Sequence, residues 1–247
     1  MTELAYEDSP VAVREGLANA HRRAWRRLAA PGTWWSGPTR VAVAAEVRNA
    51  AACRLCRGRK ETLSPYTLGG VHDSLGSLPE SHVDVIHRIV TDPGRLSKTW
   101  LDDILASCLS DAEYVETVGV IVNVMAIDQF RRGIGMAAAP LAESLPGEPM
   151  RVRPRGAKPG AAWVPLLAPE DVTEAEADLY PDVPLITYVQ RALSLVPEEA
   201  RAYNAIGCEQ YTPTGASWDF ESRVREISYQ QIELIASKVS VLNGCFY

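Results

Sequence analysis

The sequence predicts an all-α protein, and three observations carry that prediction. Apolar residues recur at helical spacing over long stretches, strand-like alternation is absent, and helix start and stop signals bound the periodic runs. In order, VREGLANAHRRAWRRLAA spaces Leu17, Ala20, Ala24 and Leu28 along one helix face. Its basic cluster HRRAWRR (21–27) reads as the solvated face. Pro and Gly in APGTWWSGPT (30–39) then punctuate the chain. The Ala-rich RVAVAAEVRNAAACRLCRGRK has no Gly until Gly58 and predicts a helix carrying Cys53 and Cys56 near its C-terminal part. LPESHVDVIHRIVTD (78–92) is an amphipathic helix stopped by Pro93, and LSKTWLDDILASCL (96–109) is another. Ser110 and Glu113 form a capping-box pattern that opens the 110–135 helix, and Arg131, Arg132 and Gly133 close it.

From 137 to 170 the density of Pro and Gly predicts a long loop or linker. Helical patterning returns over 170–180, 184–196 and 196–211, and again from 217 to the end. The expected organisation is a first unit over 1–136, a linker over 137–170 and a partial second unit over 171–247.

Composition excludes several function classes. The chain has 247 residues, a formal charge of −6 and 47% hydrophobic residues, enough for a real core. The acidic balance argues against general nucleic-acid binding. No apolar run reaches the ~18 residues of a membrane span. The longest, VGVIVNVMAI (118–127), carries Asn123 and reads as a buried helix. The acidic start MTELAYEDSP has no apolar signal core, so a cytoplasmic location is expected. Five cysteines, an odd number, do not suggest a disulfide-stapled secreted domain.

The chemistry concentrates in AACRLCRGRK (51–60). Cys53 and Cys56 stand three apart among Arg54, Arg57, Arg59 and Lys60. Such a pair is a redox dithiol, half of a zinc site, or two packed sulfurs. A zinc site needs four ligands, and the other candidates (His72, His82, His87, Cys108 and Cys208) are scattered along the chain. No metal and no cofactor are therefore expected. For a redox pair, a nearby cation lowers the thiol pKa; Lys60 falls on the face of Cys56 if the helix continues. Glu46 is the candidate proton acceptor. It lies seven residues before Cys53, about 10 Å along a helix, so a water or a third side chain must intervene. His72, in GGVHDS, is the candidate proton shuttle, because a lysine holds its proton at neutral pH. His87, in VIHRIV, reads as a core histidine, Glu116 as the partner of a cation, and Cys108 and Cys208 as structural.

A repeat joins the two ends of the chain. With Cys53 set over Cys245, VAVAAEVRNAAAC lies over ELIASKVSVLNGC, Ala44 on Ala236 and Val47 on Val239. ELIASKVSVLNGCFY resembles the dithiol helix of the alkylhydroperoxidase D-like, or carboxymuconolactone decarboxylase, family, and the 110–135 segment resembles the helix that follows it there. The resemblance covers 35–135 and, in part, 185–247. It implies an alkylhydroperoxidase D-like helical fold in two pseudo-repeats and a homo-oligomer. It further implies a peroxidase-type activity drawing on a hydroperoxide and a thiol reductant, with Cys56 attacking and Cys53 resolving. The chain departs from the family pattern at Lys60, where the family has a histidine. In the second copy Glu233 matches the family's glutamate, but the chain stops at Tyr247, before the distal cysteine. Lactone decarboxylation on the same scaffold, with the cations around Lys60 binding a carboxylate and Glu46 or a histidine moving protons, and a non-catalytic assembly role remain the alternatives. No nucleic-acid or membrane partner is expected.

Overall fold

The computed structural model describes residues 4–180, 185–213, 221, 223 and 225–245. Among these the chain is all-α, with nine α-helices and no strand. A single antiparallel bridge joins Lys158 and Leu166. The helices are α1 (Glu15–Ala29), α2 (Gly37–Ala50), α3 (Arg54–Glu61), α4 (Glu80–Thr91), α5 (Lys98–Ser107), α6 (Asp111–Gly133), α7 (Tyr188–Arg191), α8 (Pro197–Gln210) and α9 (Tyr229–Leu242). No helix among them is long and apolar enough to cross a membrane.

Local chemistry explains where the main helices start. Ser36 caps α2 by accepting from the Thr39 amide, with Pro38 in the first turn. Ser97 caps α5 in the same way. At α6 the Ser110–Glu113 capping box forms as the sequence predicts.

The core lies where α6 crosses α2. Val120, Ile121, Val124 and Ile127 of α6 pack with Val43, Ala44 and Val47 of α2, Trp25 and Leu28 of α1, and Ile86 of α4. One buried ionic cluster ties four helices together. Arg40 of α2 pairs with Glu116 of α6 and with Glu199 of α8 (2.7 Å), and Arg27 of α1 also reaches Glu199 (2.8 Å). Glu116 thus has the cationic partner expected of it.

Four expectations change. The helix predicted over 40–60 is broken at residues 51–53. Cys53 is extended (φ −64°, ψ 125°) and stands at the N-cap of α3. The Asp73 carboxylate accepts from the Arg54 amide (2.8 Å), so a residue from a later loop satisfies a donor that a continuous helix would have bonded internally. The stretch over 170–180 forms only short 3₁₀ turns, and 184–196 yields only α7 among its described residues. In the last segment α9 starts at Tyr229; residues 214–220, 222, 224, 246 and 247, also inside the predicted helical run or just before it, lie outside the described residues.

The 137–170 segment carries no α-helix, yet it is fastened to the helical body. The Leu145 amide donates to Ala29 O (2.8 Å), the Arg151 amide donates to Thr33 O (2.7 Å), and Leu167 is fully buried. The expected second unit over 171–247 contains α7, α8 and α9 among the described residues, and the sequence match is confined to α9. With Cys53 over Cys245, α2 and α9 coincide: each has 14 residues, each follows a capping serine, and each ends three residues before its cysteine.

Candidate redox and metal-binding site

Four elements meet at the dithiol. The α2 end brings Glu46, the start of α3 brings Cys53 and Cys56, the loop over 62–79 brings His72, and α4 brings Asp84 and His87. Both cysteines are reduced and buried. Their sulfurs and one ring nitrogen from each of His72 and His87 all lie within 4.8 Å of one another.

The contacts are specific. His72 Nδ1 is 3.5 Å from Cys53 Sγ and 3.5 Å from Cys56 Sγ, and His87 Nδ1 is 3.4 Å from Cys56 Sγ. The opposite nitrogen of each ring faces a carboxylate: His72 Nε2 is 2.9 Å from Asp84 Oδ1, and His87 Nε2 is 2.8 Å from Glu46 Oε1. A carboxylate on Nε2 fixes a proton there and turns Nδ1 toward the sulfurs. The two rings pack edge to face, 4.5 Å apart.

Each carboxylate is held in turn. Asp84 accepts from Arg59 (2.8 Å), Arg88 and Trp100 (3.2 Å). Despite burial, the bonds from His72 and Arg59 and the charge of Arg88 hold its carboxyl far below the usual range. Glu46 accepts from Asn49 (2.8 Å) and from the Leu75 amide (3.1 Å) as well as His87, which outweighs burial and keeps its pKa low.

The sulfurs respond to the rings. Burial opposes a charge on Cys56, but hydrogen bonding to His72 and then His87 brings its pKa down to about 6. Cys53 is lowered too, by the backbone of Cys56 and Asp73 and by His72. Burial disfavours the imidazolium of His72, yet the Asp84 bond and the sulfurs raise its pKa to about 10. His87 is raised in the same manner, by Cys56 and Glu46.

Of the residues proposed from sequence, Cys53, Cys56, Glu46 and His72 converge. Lys60 does not. It is exposed in the last turn of α3 and has no ion-pair partner among the described residues, because a strongly hydrated ammonium gains more from water than from a dry sulfur pair. The other cations also turn away: Arg54 pairs with Asp73, Arg57 is exposed, and Arg59 serves Asp84. The groups in direct contact with the thiols are two imidazoles, with Arg59 one step behind them at Asp84 and 3.2 Å from His72 Nε2.

His87 is the residue that sequence reasoning misplaced. It is fully buried, as a core histidine would be, but it bridges Glu46 to Cys56. It is the third side chain that the Glu46 spacing required. The available signal was numerical: two cysteines and two histidines complete a four-donor set.

A cavity of about 10 Å³, about the room one water needs, opens beside Cys56 between Arg59, Arg88 and Arg95. A far larger one, 1220 Å³, lies against α9 and is lined by none of the site residues. No protein-family model matches this chain, and neither does any curated protein or solved structure.

Proposed function

We propose that the chain is a thiol-dependent peroxidase that works through Cys56 and Cys53, in keeping with its resemblance to alkylhydroperoxidase D-like proteins. One observation carries the reading: Cys56 Sγ lies between the Nδ1 atoms of two histidines whose far nitrogens are fixed by Glu46 and Asp84, with the Cys53 sulfur alongside.

The chemistry balances with these groups. The Cys56 thiolate attacks the terminal peroxide oxygen, the O–O bond breaks, and Cys56 becomes a sulfenic acid. The departing alkoxide or hydroxide takes a proton from the His72 or His87 ring and leaves as an alcohol or water. Cys53 then attacks the oxidised sulfur, the S–S bond forms, and the sulfenic oxygen departs as water with the Cys53 proton. Two thiols have supplied two electrons to the peroxide. An external thiol reductant restores the pair by exchange. The small cavity at Cys56 favours hydrogen peroxide over bulky hydroperoxides.

The test uses chelator-treated, reduced protein with hydrogen peroxide and dithiothreitol. C56S abolishes peroxide consumption. With dithiothreitol removed before the peroxide is added, C53S stops at a dimedone-reactive Cys56 sulfenic acid. K60A and C245S consume peroxide at the parent rate. Unchanged turnover in C56S, or a disulfide at any pair other than Cys53–Cys56, overturns the proposal.

A further inference from the structure

We propose that Cys53, Cys56, His72 and His87 together bind one zinc ion, through two sulfurs and two Nδ1 atoms. Three independent features of the site support this. The first is size. In a tetrahedral site with Zn–S near 2.3 Å and Zn–N near 2.05 Å, the sulfur–nitrogen edge is about 3.6 Å. The three sulfur–nitrogen contacts here measure 3.5, 3.5 and 3.4 Å.

The second is donor type. Two sulfurs and two Nδ1 atoms converge in those three contacts, while Nε2 of each ring faces a carboxylate. One cation at the centre of the four donors satisfies them all, and thiolate sulfur with imidazole nitrogen in a tetrahedral set suits zinc.

The third is the outer shell. Each histidine presents one nitrogen to the sulfurs and the other to a buried or half-buried carboxylate, Glu46 for His87 and Asp84 for His72. This arrangement fixes the tautomer and raises ligand basicity in metal sites. The ion would also anchor the loop over 62–79, which carries no α-helix and is long for an unanchored connection.

Four protein donors close the coordination sphere, so the zinc-bound form has no free thiolate for peroxide, and the bound ion staples α3, the His72 loop and α4. Binding releases the thiol protons and involves no redox change. The donor geometry stands apart from the peroxidase reading. Metal binding is measured without oxidant, and peroxide oxidation is measured on the metal-free chain, so each proposal can fail alone.

The experiment titrates chelator-treated, reduced full-length protein with Co²⁺ and then with Zn²⁺. The expected result is one Co²⁺ per chain with the intense visible bands of a tetrahedral ion and a thiolate-to-cobalt charge-transfer band, both bleached by Zn²⁺. The C53S/C56S double variant loses the charge-transfer band, whereas H82A, which alters a buried histidine outside the cluster, keeps it. E46Q keeps the tetrahedral spectrum but binds about tenfold more weakly, as expected of a positioning residue. A weak octahedral spectrum without charge transfer in the parent protein overturns the proposal, even if every variant misfolds. So does an unchanged spectrum in the folded double variant.

Discussion

The two cysteine-terminated helices, α2 and α9, are alike in sequence pattern and unlike in everything around them. Each has a serine cap, the same length and a cysteine three residues past its end. Yet Cys53 is 0% exposed and held against His72, whereas Cys245 is exposed. Their neighbours account for the contrast. α2 lies under α4 and α6 and buries Val43, Ala44, Glu46 and Val47. α9 buries Tyr229 and Ile232 and leaves Leu234, Ile235, Val239, Val241 and Leu242 in the open. A helix that ends in a cysteine therefore makes no reactive site by itself; the packed partners supply the imidazoles and the carboxylates.

This contrast can be tested, beginning where the effect is largest. Arg40 anchors α2 to α6 and α8, and its removal leaves Glu116 and Glu199 buried without their main partner. R40A should destabilise the fold by about 3–5 kcal/mol in denaturant unfolding. The residue at the same register in α9 is Ile232, which has no charge to pair. A loss below about 1 kcal/mol in R40A would remove the ionic anchor as the reason α2 is fixed.

Next come the matched valines. Val47 is 5% exposed and Val239 is 49% exposed. V47A should cost about 2 kcal/mol, from two lost methyl groups and the cavity they leave. V239A should stay within about 0.5 kcal/mol. Equal losses would mean that α9 is as firmly packed as α2.

A pH-dependent effect compares histidines inside and outside the site. All four are buried, but His21 and His82 have no carboxylate on the ring, and burial lowers each pKa to about 4. Each takes up a proton near pH 6.5 when unfolded and only near 4 when folded. Between those values the unfolded chain binds more protons, so stability falls as pH drops, by up to about 1.4 kcal/mol per pH unit for each histidine. Folded H82N should show a shallower slope in this window. An unchanged slope would show that His82 carries no such penalty.

Much of the fold is legible locally. The Ser110–Glu113 box, the Gly133 stop, the Pro93 stop and the helical spacing of Leu17, Ala20, Ala24 and Leu28 each operate within a turn or two, where a sequence can be read directly. The break at 51–53 is not legible, because the group that caps α3 is Asp73, from a later loop. The site divides in the same way. Cys53 and Cys56 announce themselves by spacing, and Glu46 by its place on the preceding helix. His87 is hidden because it stands 31 residues from the sulfur it touches and 41 from the carboxylate it bridges to.

The sequence alone determined that this chain is helical, where its best-capped helices begin, and that its chemistry centres on a close pair of thiols. All of these follow from interactions between residues a few positions apart. Only the tertiary structure decided that imidazoles contact those thiols, that Lys60 stays in water, and that two histidines complete a four-donor pocket. Desolvation is the physical reason. Packing α4 and the His72 loop over the sulfurs limits the reach of water, so charge near them must be hydrogen-bonded on every side, and imidazole rings backed by Glu46 and Asp84 meet that demand where the hydrated Lys60 side chain does not.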